Sequence, residues 1–182
     1  MQNQRNRYFG NAKAVNWNDN EDGNVDKQCP QLSNENSVMS TDFLSQIATK
    51  DGAQYAWLRQ SLNDFEMAGI LLASNKWDGV CYHAQQAVEK LLKFVLSDAG
   101  QAFRHTHSVH ELAKDCNKVL ETALFNDEII DLFKELSQYN TIARYPACCD
   151  APVDVITKKQ ALSAMNTLNQ TLLIVGEVYE RN

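Results

Sequence analysis

Between Ala53 and Tyr179 apolar side chains return every three or four residues in five separate runs, the period of a helix that buries one stripe and leaves the rest to water. The first run spans about Ala53 to Ser74, with Leu58, Leu62, Phe65, Ala68 or Gly69, and Leu72 on its stripe. The second, Asp78 to Ala99, carries Cys81, Ala84, Val88, Leu91 and Val95, widened by Ala87, Leu92 and Leu96. Val109, Leu112, Cys116 and Val119 mark a third helix to about Leu120. Ile130, Phe133 and Leu136 mark a fourth from Asp127 to near Asn140, and Met165, Leu168, Leu172, Val175 and Tyr179 a long fifth. No stretch alternates in the manner of a strand, so the pattern predicts an all-α fold, an up-down helical bundle of about five helices. Asn75 to Trp77 is too short for anything but the turn of an antiparallel hairpin joining the first two.

Start and stop signals fall at the edges of these runs. Asp78 and Asp127 are placed to cap their helices, Ser108 with Glu111 and Thr157 with Gln160 have the form of capping boxes, and Gly100 closes the second helix. Thr141 to Asp154 holds Pro146 and Pro152 and reads as a loop. Ahead of the bundle, Met1 to about Ser40 is rich in Asn, Gln, Asp and Ser and has no sustained period. It is expected to be a flexible arm, with Tyr8, Phe9, Val15 and Trp17 scattered along it. Phe43, Leu44 and Ile47 suggest no more than a short turn of helix in Thr41 to Lys50. The chain therefore divides into a polar arm, residues 1–50, and a helical domain, residues 51–182.

Composition narrows the class. Of 182 residues 44% are apolar, enough for a real core. No run is long and apolar enough for a membrane span, and the first residues lack the apolar centre of a signal peptide, so a cytoplasmic location is expected. Cys29, Cys81, Cys116, Cys148 and Cys149 show no CxxC spacing and read as reduced thiols, the adjacent pair as loop residues. A net charge of −6 excludes a protein that coats extended nucleic acid. Between Gln86 and Lys118, however, Lys90, Lys93, Arg104, Lys114 and Lys118 outnumber Glu89, Asp98, Glu111 and Asp115 by one before histidines are counted, which suits a small anionic ligand.

Candidate chemistry sits in three places. Tyr82, Gln86, Glu89, Lys90 and Lys93 form a polar row beside the apolar stripe of the second helix. His107 stands just before the capping Ser108, either fixing the entry of the third helix or acting as a donor beside an N-terminus able to hold phosphate. Arg144-Tyr145-Pro146 could grip phosphate with two parallel donors and, with Tyr139, offer planes for a base, or could tie its loop to the bundle. His83, His105, His107 and His110 lack a companion carboxylate or thiol set, so neither a metal nor another cofactor is expected.

These segments carry a resemblance. HAQQAVEKLLKFVL, through Gln86, Ala87, Glu89, Lys90 and Lys93, resembles the signature helix of the HEPN family (higher eukaryotes and prokaryotes nucleotide-binding). In the family's order there are further matches at Trp57-Leu58 with Asp64, His107-Ser108 to Glu111-Leu112, and Tyr139 with Arg144-Tyr145-Pro146. The resemblance covers roughly residues 55 to 180 and implies a homodimer, with a minimal nucleotidyltransferase as a possible protein partner in a toxin-antitoxin-like system. It also implies a metal-independent ribonuclease where an Arg is followed, after four to six residues, by a His. Here Arg144 is followed by YPACCDAPVDV, and residues 145–182 hold no His. Arginine stays protonated and cannot shuttle the proton that cleavage near neutral pH needs. The expectation is therefore a non-catalytic domain that binds a nucleotide or similar ligand through Lys90, Lys93, His107, Tyr139, Arg144 and Tyr145. The alternative is a toxin-type ribonuclease rebuilt from His107 and Arg144.

Overall fold

The computed structural model describes residues 34–120 and 124–181. Seven helices run through them: α1 (Asn34–Ile47), α2 (Ala53–Ala73), α3 (Trp77–Asp98), α4 (Val109–Val119), α5 (Asp127–Ile142), α6 (Pro152–Val155) and α7 (Lys158–Glu180). The fold is all-α. The one β pairing among the described residues is an isolated bridge between Ala147 and Asp150.

α3 is the axis of the bundle, touching α2, α4, α5, α6 and α7, and its whole apolar stripe from Val80 to Leu96 is buried. The hairpin with α2 turns on Asn75, whose φ of 55° lies in the left-handed region that Asn tolerates. The amide of Lys76 donates to Leu71 O at 2.9 Å and that of Asn75 to Leu72 O at 3.1 Å, the paired bonds of a Schellman ending. Gly79 lets the two helices close, since a Cβ there would stand 2.9 Å from Leu71 Cδ1. Gly100, with φ 71°, ends α3 in the same way, the Gln101 amide donating to Leu96 O.

The caps differ from the expected ones at three places. α5 is capped by Asn126, whose side chain accepts from the Ile129 amide at 3.0 Å, while Asp127 lies inside the first turn. α3 starts at Trp77 with no side-chain cap, because the turn from α2 leads straight into it, and Asp78 lies in the first turn. Thr157 and Gln160 form both bonds of a capping box. Ser108 accepts from the Glu111 amide, but its own N–H goes to Thr106 Oγ1, so only half of that box exists. Pro152 opens the four-residue helix α6 inside the stretch expected to be a loop, a first-turn position where a missing N–H costs nothing.

α1 is longer than the short turn expected and begins at Asn34. Leu44 and Ala48 are buried in the common core, α1 packing chiefly on α7 and also on α2. Arg59 of α2 donates to Ala48 O and Lys50 O, satisfying carbonyls at its C-terminal end. Tertiary packing, not local propensity, makes this helix. The arm aromatics Tyr8, Phe9 and Trp17, and Cys29, lie outside the described residues.

Candidate functional site

The polar row of α3 is a connected, half-buried network. Lys90 Nζ donates to Asp64 Oδ2 of α2 at 2.6 Å and to Gln86 Oε1 at 2.9 Å. The other oxygen of Asp64 lies 2.9 Å from His83 Nδ1. With the carboxylate ionised, Nδ1 is the donor. One turn along, Lys93 Nζ donates to Glu89 Oε1 at 2.7 Å, and both Glu89 oxygens lie 3.2 Å from His107 Nδ1. Gln85 Nε2 donates to Glu89 Oε2 and to His107 O, which fixes the approach to α4. Gln86 Nε2 donates to Gln85 Oε1 at 2.7 Å, joining the two halves. The Lys93 ammonium also lies 5.2 Å from the Trp57 ring centre and 5.6 Å from that of Phe103, a cation–π setting suited to a charge with little water.

Burial by itself would raise the Asp64 and Glu89 carboxyls, but their partners outweigh it. Hydrogen bonds from His83 and Lys90, with the Lys90 charge, hold Asp64 below its ordinary value. Lys93 and Gln85, with His107, do the same for Glu89. Both are thus anions at neutral pH, each cancelling one lysine.

Arg144 completes the face. Its Nε donates to Asn140 O at 2.8 Å and its Nη2 to Asn140 Oδ1 at 3.2 Å, while Gln86 Nε2 reaches the same Oδ1 at 3.4 Å. The chain Arg144–Asn140–Gln86–Lys90 therefore links the loop after α5 to the centre of α3. The guanidinium lies over the rings of Tyr82 and Tyr145, at 4.9 and 5.1 Å from their centres. It is exposed, and among the described residues no carboxylate stands within ion-pair distance of it.

Of the six residues singled out in the sequence, five gather on this face: Lys90, Lys93, His107, Arg144 and Tyr145. Lys90 and Lys93 are neutralised within it, His107 is exposed with a carboxylate partner, and Arg144 and Tyr145 face solvent. Tyr139 is not brought there: its ring is buried and its hydroxyl donates to Glu135. The residues that join the face were Gln85 and Asn140, neither singled out before. The Asn140–Arg144 and Gln85–Glu89 spacings of four were the available signal.

Relatives of known sequence and structure agree with this architecture. The chain is 26% identical over 136 residues, 66% of its own length and 84% of the relative's, to the "Putative toxin MJ1304" of Methanocaldococcus jannaschii. The crystal structure of TT1696 from Thermus thermophilus superposes with a TM-score of 0.62 at 25% identity, over 68% of this chain and 96% of that one. That of ST0689, an archaeal HEPN homologue, gives 0.55 at 22% identity over 70% and 98%, a likeness of fold. The HEPN domain family matches residues 54–178, from the first turn of α2 to the last turn of α7. The chain belongs to the HEPN domain family.

Proposed function

We propose that this HEPN domain is a non-catalytic module that binds a nucleotide or a similar phosphate-bearing small molecule at the Arg144 end of the polar face. The observation that carries the reading is the guanidinium itself: exposed, without a carboxylate partner among the described residues, anchored by Asn140 and laid over Tyr82 and Tyr145. A guanidinium held this way keeps N–H groups for a phosphate, and the exposed Tyr145 ring offers a plane for a base. Lys90 and Lys93 contribute indirectly, each spent on a buried carboxylate, so Arg144 is the net positive charge of the face. Tyr139 supports the site from the core. The lack of any His after Arg144 is why the module is assigned no cleavage chemistry. It acts as a homodimer, and a minimal nucleotidyltransferase is its candidate protein partner.

Calorimetric titration with ATP and GTP tests the reading. Arg144→Ala removes a charge-assisted contact worth about 1.5–3 kcal/mol, a loss of affinity of about tenfold or more. No binding at millimolar nucleotide, or binding indifferent to Arg144→Ala, overturns it. Sedimentation gives the oligomeric state, and co-purification with its genomic neighbour tests the partner.

A second reading, a metal-independent ribonuclease of toxin type, draws on the name of the methanogen relative and on the His107–Glu89 pair. Incubating total RNA without metal decides between the two: cleavage abolished by both His107→Ala and Arg144→Ala would establish the ribonuclease.

A further inference from the structure

Cys148 and Cys149 take no part in the network above, and the turn they occupy gives them a chemistry of their own. Ala147 N donates to Asp150 O and Asp150 N to Ala147 O, both at 3.1 Å, so the two cysteines are the central residues of a turn clamped on either side. Both are exposed and free. Cys148 has φ 56°, a left-handed conformation that favours Gly or Asn and that an ordinary side chain adopts at a cost. The two remaining described thiols, Cys81 and Cys116, are buried, and burial pushes each up to about 12, which leaves them unreactive at neutral pH.

We propose that Cys148 and Cys149 form a bidentate dithiol site for a thiophilic trivalent metalloid, of which a trivalent arsenical is the simplest representative. Closure of the pair as a disulfide is disfavoured, because adjacent Cα atoms lie about 3.8 Å apart, short of the roughly 4.4–6.8 Å that disulfides prefer. The dithiol is thus the resting form. Zinc is disfavoured too, since it wants four ligands and no group of His, Cys, Asp and Glu able to hold a metal occurs among the described residues. An aryl arsenoxide needs no further protein ligand. Its oxygen leaves as water with the two thiol protons, two As–S bonds form, the arsenic stays trivalent and no oxidant is consumed. The site is independent of the nucleotide reading.

Phenylarsine oxide added to the full chain tests it, read by intact mass, peptide mapping and competition with a small dithiol. The expected result is one arsenical per chain, mapped to Cys148 and Cys149, with both thiols shielded from maleimide. Cys148→Ser or Cys149→Ser should each weaken it by roughly a hundredfold or more, the gain that joining two contacts confers. Cys81→Ser should leave it unchanged. An adduct no tighter than in the single variants, one carried by Cys29, Cys81 or Cys116, or a pair already oxidised in protein purified with a monothiol overturns the proposal.

Discussion

Replacing Lys93 by Met tests whether the buried polar face is held by charge pairing. The Lys93 and Glu89 side chains are 9% and 5% exposed, with 2.7 Å between nitrogen and oxygen. Met fills much the same volume under Trp57 and Phe103, so packing changes little and the loss is electrostatic. Glu89 would keep Gln85 and His107 but lose the neighbouring ammonium charge of Lys93, and breaking one side of a buried pair costs about 3–5 kcal/mol. That is a third or more of what many domains have, and corresponds to a fall in melting temperature of about 6–20 °C for a chain of this size. Glu89→Gln added to Lys93→Met removes the stranded charge and should recover a large part of the loss. Urea midpoints of the wild type, both singles and the double at neutral pH supply the cycle. A cost below about 1 kcal/mol for Lys93→Met, or a double variant no more stable than the single, would refute the reasoning.

Three other outcomes follow from the same structure. Leu44→Ala, at a fully buried position of α1, should cost about 2–5 kcal/mol in urea unfolding; a surface-like value would mean that α1 does not dock. Because Asp64 and Glu89 are held below their ordinary values when folded, the folded state binds these protons less readily than the unfolded chain. Their stabilisation is present above about pH 4–5 and is lost as the pH falls through and below that range. Asp64→Asn should flatten this acid limb, and an unchanged limb would remove Asp64 from it. Asn140→Ala deletes one of the two anchors of Arg144 while sparing the backbone carbonyl, so nucleotide affinity should fall by about fivefold, the worth of about one hydrogen bond, and by less than in Arg144→Ala; titration of both variants checks the order.

The bundle was legible in the sequence because helix faces are written locally: Leu58, Leu62 and Leu72, or Cys81, Val88 and Val95, need only the 3.6-residue period to declare a buried stripe. Gly100 and the Thr157–Gln160 box were legible for the same reason, since their partners lie within a few residues. Other features depend on chain segments far apart. α1 exists as a 14-residue helix because it packs on α7 with Leu44 buried in the common core and Arg59 satisfies its end, contacts that no window around Thr41 contains. Tyr139 shares a helical period with the core as well as with the loop that follows, and only packing sent its ring inward.

The site divides along the same line. Arg144, Tyr145, His107 and the lysines of α3 were recognisable by residue type and order. That Lys90 is neutralised by Asp64 from 26 residues away was decided by three-dimensional approach, whereas the pairing of Lys93 with Glu89 one turn away was open to the four-residue spacing on α3. Three-dimensional approach also brought Asn140 to Gln86 and Arg144 over Tyr82, and left Arg144 without a carboxylate partner among the described residues. Side-chain identity is local information, whereas the effective charge of a group depends on what folding places within a few ångströms of it.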